Sequence, residues 1–426
     1  MKKRLFSGML GLAMGAALSL PANAVELSMY YPIQVGGPLA KIMEGLVAGF
    51  EKENPGITVK PIYSGNYSET MAKTMTAIKG GNAPDLAVLL SVNIYTLIDN
   101  DAIVAVQDMA KTDADKAWLK SFWPAFMLNS QTQGKTWSVP FQRSTGVLYY
   151  NKEMYKEVGL DPNVAPKTWD EMVAFGKKVV KRDVNGNITR WGVEIPSTTA
   201  AFWLFGGMAI QNGVNLMNQA GTETYFNDPK VVEALDWWVS MSTKQEIMPK
   251  GLIEWGTLRQ DFLEQKTAMI WHSTGNLAAV KKAAKFDFGV ALLPGKVRQG
   301  SPTGGGNFYI FKATTGEKRD AAYKFVKWMT QPERAAQWSI KTGYVGTSPA
   351  SYKTKAMVDY IASYAPASVG RDQLALAKAE LSTHESERIV KILNDAIQAA
   401  LTGKKTAQKS LDDAQKKAER ILKKYR

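Results

Sequence analysis

Residues 85–90 read DLAVLL, and this stretch decides the fold class. An apolar run of that length, without polar alternation, is typical of a strand buried on both faces of a parallel sheet. Two earlier runs, ELSMY at 26–30 and ITVKPI at 57–62, also have the composition of strands. Between the three runs, apolar residues recur with helical spacing over 39–50 and 71–78. The order strand, helix, strand, helix, strand predicts an α/β fold around an open sheet.

The rest of the chain continues this alternation of helices and strands. Thr168 and Glu171 form a capping box that predicts a helix start, and Asp228-Pro229 predicts another. Pro61 indicates that the second strand lies at an edge or ends there. Because no long linker separates two halves, two lobes joined by several short crossings fit better than two domains in series. Further strands are expected at 147–150, 267–271, 286–293 and 307–312.

Composition excludes several classes of site. The chain has 426 residues, enough for two or three domains or two large lobes. It contains no cysteine and two histidines, which excludes disulfides, thiol catalysis, iron–sulfur clusters, cysteine zinc sites and histidine-rich metal centres. We therefore expect no metal and no cofactor.

The first 24 residues have the organisation of a secretory signal peptide. A basic start at 2–4 precedes an apolar run at 5–20, and Ala-Asn-Ala follows at 22–24. The alternative is a membrane anchor, but the run is shorter than the ~20 residues that span a bilayer. The sequence thus predicts cleavage after Ala24 and a soluble, exported protein in the periplasm.

The C-terminal segment 403–426 is strongly basic, with nine Lys or Arg against three Asp or Glu. Such a segment could bind a polyanion such as nucleic acid. It also places five apolar residues on one helical stripe, which favours a solvated amphipathic helix over a polyanion site. The stripe consists of Leu411, Ala414, Ala418, Ile421 and Leu422.

Common catalytic motifs are absent from the sequence. Gly403-Lys404 lacks the Ser or Thr and the upstream glycine of a P-loop, and no G-x-S-x-G elbow exists. His384-Glu385 lacks a second histidine at the spacing of a zinc protease. The pattern favours a protein that is not an enzyme. A secreted hydrolase with two carboxylates far apart in the chain stays the weaker alternative.

Three segments, taken together, resemble one known family. They are residues 137–152, with WSVPF and LYYNK; 288–306, with FGVALLP and a triple glycine; and 325–349, with KTGYVG and Ser348-Pro349. In this order and spacing they resemble the family 1 extracellular solute-binding proteins of ABC importers, over essentially all of residues 25–426. The resemblance implies an α/β, two-lobed periplasmic-binding-protein fold, with a hinge of crossing segments and a ligand cleft between the lobes.

The resemblance also implies the domain boundaries. The hinge crossings would lie near 143–148, 287–291 and 343–346. The implied units are a signal peptide (1–24), lobe 1 (25–143 plus 291–342), lobe 2 (144–290 plus 343–402) and a basic C-terminal helix (403–426).

Within the family, the sequence resembles in particular the periplasmic proteins that bind sn-glycerol 3-phosphate. Ser91 stands where those proteins have a glutamate, which removes one negative charge from the cleft and favours a diester over free glycerol phosphate. Arg388 is the counterpart of a C-terminal arginine in them. The ligand-binding residues implied are Tyr67, Ser91, Ser144, Ser273, Gly305, Tyr344 and Arg388.

The residue types agree with such a ligand. A phosphate is held by hydroxyls, backbone N–H groups and guanidiniums, and glycines let the backbone approach it. Three interpretations stay open. Arg143 is either a second guanidinium of the site or a surface residue, and Trp271 and His272 either contact the ligand or only pack in the core. The glycines at 304–306 either belong to the site or form a flexible loop.

The predicted function is therefore capture of sn-glycerol 3-phosphate or a related glycerophosphodiester, and its delivery to the membrane permease. The alternative within the class is a binder of a neutral sugar or polyol. The expected partners are the small-molecule solute and the transmembrane subunits of an ABC permease, with no nucleic acid and a monomer in solution.

Overall fold

Seven strands build one mixed sheet in the computed structural model, which describes residues 24–426. They are β1 (Val25–Tyr31), β2 (Ile57–Tyr63), β3 (Leu86–Leu90), β4 (Val139–Asn151), β5 (Met269–Ser273), β6 (Phe288–Ala291) and β7 (Thr303–Ile310). Across the sheet the order is β6-β4-β7-β3-β1-β2, and β5 also pairs with β4. The predicted signal peptide, apart from Ala24, lies outside the described residues.

In the same part of the chain, nine helices of eleven or more residues surround the sheet. They are α1 (Leu39–Glu53), α2 (Tyr67–Lys79), α3 (Trp169–Val179), α4 (Ala201–Gln211), α5 (Pro229–Thr243), α6 (Gly316–Met329), α7 (Pro332–Thr342), α8 (Ser386–Leu401) and α9 (Ala407–Leu422). Shorter helices are Ile94–Asp99, Val106–Met109, Asp113–Leu119, Pro124–Met127, Lys152–Glu157, Leu258–Leu263, Leu277–Ala283, Lys355–Ser363 and Val369–Asp372. Two small hairpins pair Gln131–Thr132 with Lys135–Thr136 and Lys181–Arg182 with Ile188–Arg190. None of the helices in residues 24–426 has both the length and the apolar character needed to cross a membrane.

The predicted strand–helix–strand–helix–strand unit is confirmed from β1 to β3. Strand β1 pairs in parallel with both β2 and β3, and Pro61 lies in β2 at the edge of the sheet. The capping box predicted at Thr168 is present and begins α3. A second capping box, at Asn66, begins α2. Because β7 runs antiparallel to β3, the sheet is mixed rather than parallel throughout.

Helix α1 shows how the apolar pattern becomes a core. Its predicted face is buried except at Ile42, which is half-buried. Phe50 contacts two aromatic rings of α6 edge-on, Phe325 at 5.0 Å and Trp328 at 5.7 Å between centroids. Such aromatic pairs contribute about 0.5–1.5 kcal/mol beyond their buried area. These contacts fasten α1 and α6 over the same side of the sheet.

Strand β4 is thirteen residues long and buried throughout. Its first half pairs antiparallel with β7, and its second half pairs antiparallel with β5 and β6. The sequence predicted a strand only at 147–150, because residues 142–145 are polar and do not look like a buried strand. They stay buried by hydrogen bonding instead of apolar packing, as described below.

The triple glycine is part of strand β7, which begins four residues before the predicted strand. Gly305 has φ +91°, and a Cβ there would lie 2.0 Å from the carbonyl oxygen of Gln142. The pairing register with β4 shifts between Gly306 and Asn307, which marks a bulge. The interpretation of 304–306 as a flexible loop is therefore wrong.

The basic C-terminal segment contains helix α9. Its apolar stripe is buried except at Ile421, which is half-buried, and the helix packs against α8 and α5. Gln415 lies in the contact and accepts a hydrogen bond from the backbone N–H of Phe226 at 2.9 Å. The lysines face outward, so the helix is amphipathic as the sequence predicts.

Candidate ligand-binding site

A cavity of about 320 Å³ opens where strands β3 and β5 end, beside the middle of β4 and β7. Its walls come from segments far apart in the sequence. The structure brings five of the seven predicted site residues to this cavity: Tyr67, Ser144, Ser273, Gly305 and Tyr344.

Two tyrosines meet on the floor of the cavity through one amide. Gln142 of β4 donates from Nε2 to the Tyr67 hydroxyl at 2.9 Å and to the Tyr344 hydroxyl at 3.2 Å. Tyr67 is the first residue of α2, and Tyr344 follows Gly343, whose φ of +96° ends α7. Burial raises the pKa of both phenols, so both are neutral. Each oxygen accepts from Gln142, and the Tyr67 hydroxyl also lies close enough to lower the pKa of Tyr344, so at least one of the two hydroxyl protons is available to another acceptor.

Two serines supply hydroxyls from the middle of the sheet. Ser144 lies opposite Gly304 in the β4–β7 pairing, and Ser273 lies opposite Gly146 in the β4–β5 pairing. Ser273 Oγ accepts from Gly275 N at 3.1 Å and so keeps its proton for donation. Ser144 is 4% exposed and lines the cavity.

Arg143 is buried behind the cavity and is not a surface residue. Its guanidinium donates to Asn307 Oδ1 at 3.1 Å, Thr303 Oγ1 at 3.0 Å and Gly305 O at 3.3 Å. It also lies 5.1 Å from the ring centroid of Phe126. Burial lowers the pKa of Arg143 to about 10, so the group is charged at neutral pH. The guanidinium thus organises β7 from below and does not line the cavity.

Arg388 is not brought to the cavity. Its side chain is 63% exposed, and Nη1 lies 3.4 Å from Glu385 Oε2. The residues of α8 that line the cavity include Glu387, Lys391 and Asn394, at helical spacings of four and three. One residue along an α-helix turns the side chain by about 100°, which places Arg388 on another face. That periodicity of polar residues was the signal that could have identified the correct face.

Ser91 is fully buried behind the cavity wall and does not line it. Its hydroxyl has no hydrogen-bond partner in the described residues. It lies close enough to the carboxyl of Glu380 to lower the pKa of that group, although no hydrogen bond of good geometry joins the two. Ser91 therefore affects the cavity indirectly, through the carboxyl of Glu380.

Two tryptophans that the sequence analysis did not single out line the cavity wall. Trp203 and Trp255 form a T-shaped pair 6.1 Å apart. Trp203 Nε1 donates to Thr303 O at 3.0 Å, and Trp255 Nε1 donates to Gln34 O at 3.2 Å. With their N–H groups satisfied by the backbone, both indoles are held at fixed angles and present apolar surface to the cavity.

The two residues left open between site and packing are packing. Trp271 is fully buried, and its Nε1 lies 3.3 Å from Met172 Sδ. His272 is buried under Trp255, and burial lowers its pKa to about 3, so the imidazole is neutral. Neither side chain lines the cavity.

The charged groups that line the cavity are mostly acidic. Three carboxyl groups, those of Glu380, Glu387 and Asp395, face one ammonium group, that of Lys391. Lys391 is paired with Asp395 at 2.8 Å. Burial raises the pKa of Glu380 to about 8 and raises that of Glu387 as well. Among the described residues, therefore, no unpaired cation lines the cavity.

A second cavity of about 380 Å³ adjoins the first. The two share Phe202, Trp203 and Glu380 as a partition. The other lining residues of the second cavity include Asn129, Asn215 and Tyr95. A ligand longer than one sugar ring could therefore extend past the partition.

Comparison with known proteins gives consistent matches. The family model described as bacterial extracellular solute-binding protein matches residues 45–365. The sn-glycerol-3-phosphate-binding periplasmic protein UgpB of Escherichia coli K12 is 28% identical over 429 residues, covering 97% of this chain and 96% of that protein. UgpB of Shigella flexneri serotype 5b has the same identity and coverage.

Solved structures share the fold at lower identity. UgpB from Mycobacterium tuberculosis, in complex with glycerophosphocholine, superposes with a TM-score of 0.81 at 21% identity, covering 93% of this chain and 98% of that one. A solute-binding protein of Thermotoga lettingae bound with α-D-tagatose gives 0.80 at 19%, covering 93% and 100%. Maltose-bound MalE3 of Thermotoga maritima gives 0.80 at 20%, with the same coverage.

Proposed function

Because the chain belongs to the family of bacterial extracellular solute-binding proteins, we propose that it captures a glycerophosphodiester in the periplasm. It has the two-lobed α/β fold of that class, as predicted from the sequence. It is a substrate-binding protein of an ABC importer, and proteins of this kind bind a small-molecule solute and deliver it to the permease.

The convergence of Tyr67, Ser144, Ser273, Gly305 and Tyr344 at one cavity carries the proposal. With the predicted boundaries, Tyr67 and Gly305 belong to lobe 1 and the other three to lobe 2. A solute bound there touches both lobes and favours their closed arrangement by its differential affinity for it. Four hydroxyls and a glycine backbone provide neutral donors for phosphate and glycerol oxygens.

The charges favour a diester over the monoester sn-glycerol 3-phosphate. A diester has one negative charge and the monoester has nearly two at neutral pH. The second charge of the monoester needs a counter-ion, and the ammonium group of Lys391 is already paired with Asp395. The cavity has carboxyl groups and no unpaired cation among its described lining residues, so the smaller charge suits it better.

A neutral sugar or polyol is the second candidate. The rings of Trp203, Trp255, Tyr67 and Tyr344 give the cavity aromatic walls, on which sugars pack their C–H faces. The similar structures from the two Thermotoga species hold a monosaccharide and a disaccharide.

Native mass spectrometry of protein prepared from the periplasm tests this function. The expected result is an adduct whose mass equals a glycerophosphodiester, released on denaturation. A sugar-sized adduct would favour the second candidate. Free choline produced in excess of the protein from added glycerophosphocholine would overturn a binding role and indicate the secreted hydrolase.

A further inference from the structure

Glu380 lies in the segment between the short helix at 369–372 and α8, where nothing in the sequence pattern singled it out. Its backbone N–H donates to Asn129 Oδ1 at 2.9 Å, and its carbonyl accepts from Asn129 Nδ2 at 3.0 Å. This double contact holds the backbone in place. The residue is 2% exposed, and its side chain lines both cavities.

The Glu380 carboxyl is buried without a proper partner. Its Oε2 has no hydrogen bond within the described residues, and neither has the neighbouring Ser91 hydroxyl. Most buried polar groups in folded proteins are hydrogen-bonded, and a buried unpaired one destabilises the fold. A buried acceptor that faces a cavity therefore points to a donor that arrives with the ligand.

Its surroundings decide which donor fits. Arg143 approaches from β4, Tyr67 from α2 and Tyr309 from β7, and the Ser91 hydroxyl follows β3. Arg143 donates to three oxygens of β7, and no hydrogen bond joins it to Glu380. Its charge lowers the pKa of Glu380, but burial outweighs that effect and keeps the pKa raised. Phe202 and Trp203 complete the partition with apolar surface.

We propose that Glu380 is a ligand-contacting, specificity-determining residue, whose carboxylate accepts hydrogen bonds from vicinal hydroxyls of the solute where the two cavities meet. The inference rests on the proposed function only in requiring a solute with hydroxyl groups, which glycerophosphodiesters and sugars share. It assigns selectivity to an acceptor of hydroxyl protons, not to a guanidinium that binds phosphate.

Binding of solute hydroxyls to Glu380 should release a proton. Burial raises the pKa of Glu380 to about 8, so the unliganded carboxyl is mostly protonated at pH 7. Hydroxyl donors favour the ionised form, so binding them releases a proton. A phosphate dianion placed there would favour the protonated form and would cause no release. Burial raises the pKa of Tyr67 and Tyr309, so both phenols stay neutral between pH 6 and 9. The pKa of Arg143 is about 10, so its guanidinium stays charged over the same range.

The experiment is calorimetry with glycerophosphocholine and, separately, maltose, at pH 7 in two buffers of different ionisation enthalpy. For whichever probe binds, the wild type should release a fraction of a proton. In Glu380→Gln that release should vanish, and affinity should fall about 10- to 100-fold, as for loss of a hydrogen bond to a charged group. Glu44→Gln, an exposed carboxyl in α1, is the matched control and should behave as wild type.

The outcomes separate the two proposals. If neither probe nor glycerol 3-phosphate binds the wild type, the proposed function fails. If a probe binds and Glu380→Gln changes neither affinity beyond threefold nor proton release, this inference fails alone. Should Glu380→Gln not fold, Glu380→Asp replaces it: proton release must persist with weaker affinity, and unchanged affinity would overturn the inference.

Discussion

The core under α1 and the floor of the cavity are both buried, but different forces hold them. In the core, Phe50 contacts Phe325 and Trp328 through apolar packing. In the floor, by which we mean the hydrogen-bonded residues beneath the cavity, Gln142 donates to the phenols of Tyr67 and Tyr344. Arg143 donates to the side chains of two residues of β7. Apolar packing tolerates change at a cost in stability, whereas each bond of the floor has one specified partner. The comparison predicts that substitutions in the core reduce stability and substitutions in the floor reduce binding.

The largest effect is expected for Phe50→Ala. Removing a fully buried aromatic ring leaves a void, and such changes lower the free energy of unfolding by about 3–5 kcal/mol. Chemical denaturation measures this loss. Affinity for the solute should stay within threefold, because no residue of α1 lines the cavity. A loss of affinity in the folded variant would break the distinction between core and floor.

The sequence predicts the core better than it predicts the floor of the cavity. Helix α1 and the capping box at Thr168 were predicted because apolar spacing and caps are local signals. The first half of β4 was not, because its polar residues are buried through partners distant in the sequence.

In the site, five of the seven residues implied by family resemblance meet at one cavity, and Ser91 and Arg388 do not line it. Glu380 was missed because it lies outside any periodic segment. Trp255 and Trp203 were missed because only the tertiary structure shows which tryptophans face an opening.

The pH dependence of stability gives the next effect. The pKa of Glu380 is raised to about 8, above its unfolded value of about 4.3. The folded state therefore binds the proton more tightly, so its stability contribution is present below pH 4 and is lost as pH rises through 8. Between pH 5 and 9, the unliganded wild type should lose roughly 2–4 kcal/mol relative to Glu380→Gln. Parallel stability curves for the two proteins would show that Glu380 is not a buried acid.

Gly305→Ala sharpens the comparison within the floor. A Cβ would meet the Gln142 carbonyl at 2.0 Å, and the φ of +91° strains any L-residue. We expect about 1–3 kcal/mol of destabilisation and more than tenfold weaker binding. Gly45→Ala in α1 is the matched control, since its Cβ would have no atom within 4 Å. It should be neutral or stabilising by up to ~1 kcal/mol, and equal effects of the two substitutions would refute a special role for Gly305.

Gln142→Met is the smallest of these changes in stability. It keeps the volume and removes the donor to Tyr67 and Tyr344, which costs about 1 kcal/mol of stability. Affinity should fall about tenfold, because the phenols lose their orientation. Arg388→Ala, an exposed residue outside the cavity, should change affinity less than threefold in the same titrations. A larger loss of affinity for Arg388→Ala than for Gln142→Met would indicate that the ligand contacts the exposed face of α8 instead of the floor.

The most direct measurement of the central claim is the ratio of two dissociation constants of the wild-type protein at pH 7. We predict that glycerophosphocholine binds at least tenfold more tightly than sn-glycerol 3-phosphate, because carboxyl groups and no unpaired cation line the described cavity. Tighter binding of the monoester would contradict that claim, since it would require a cation in contact with the phosphate.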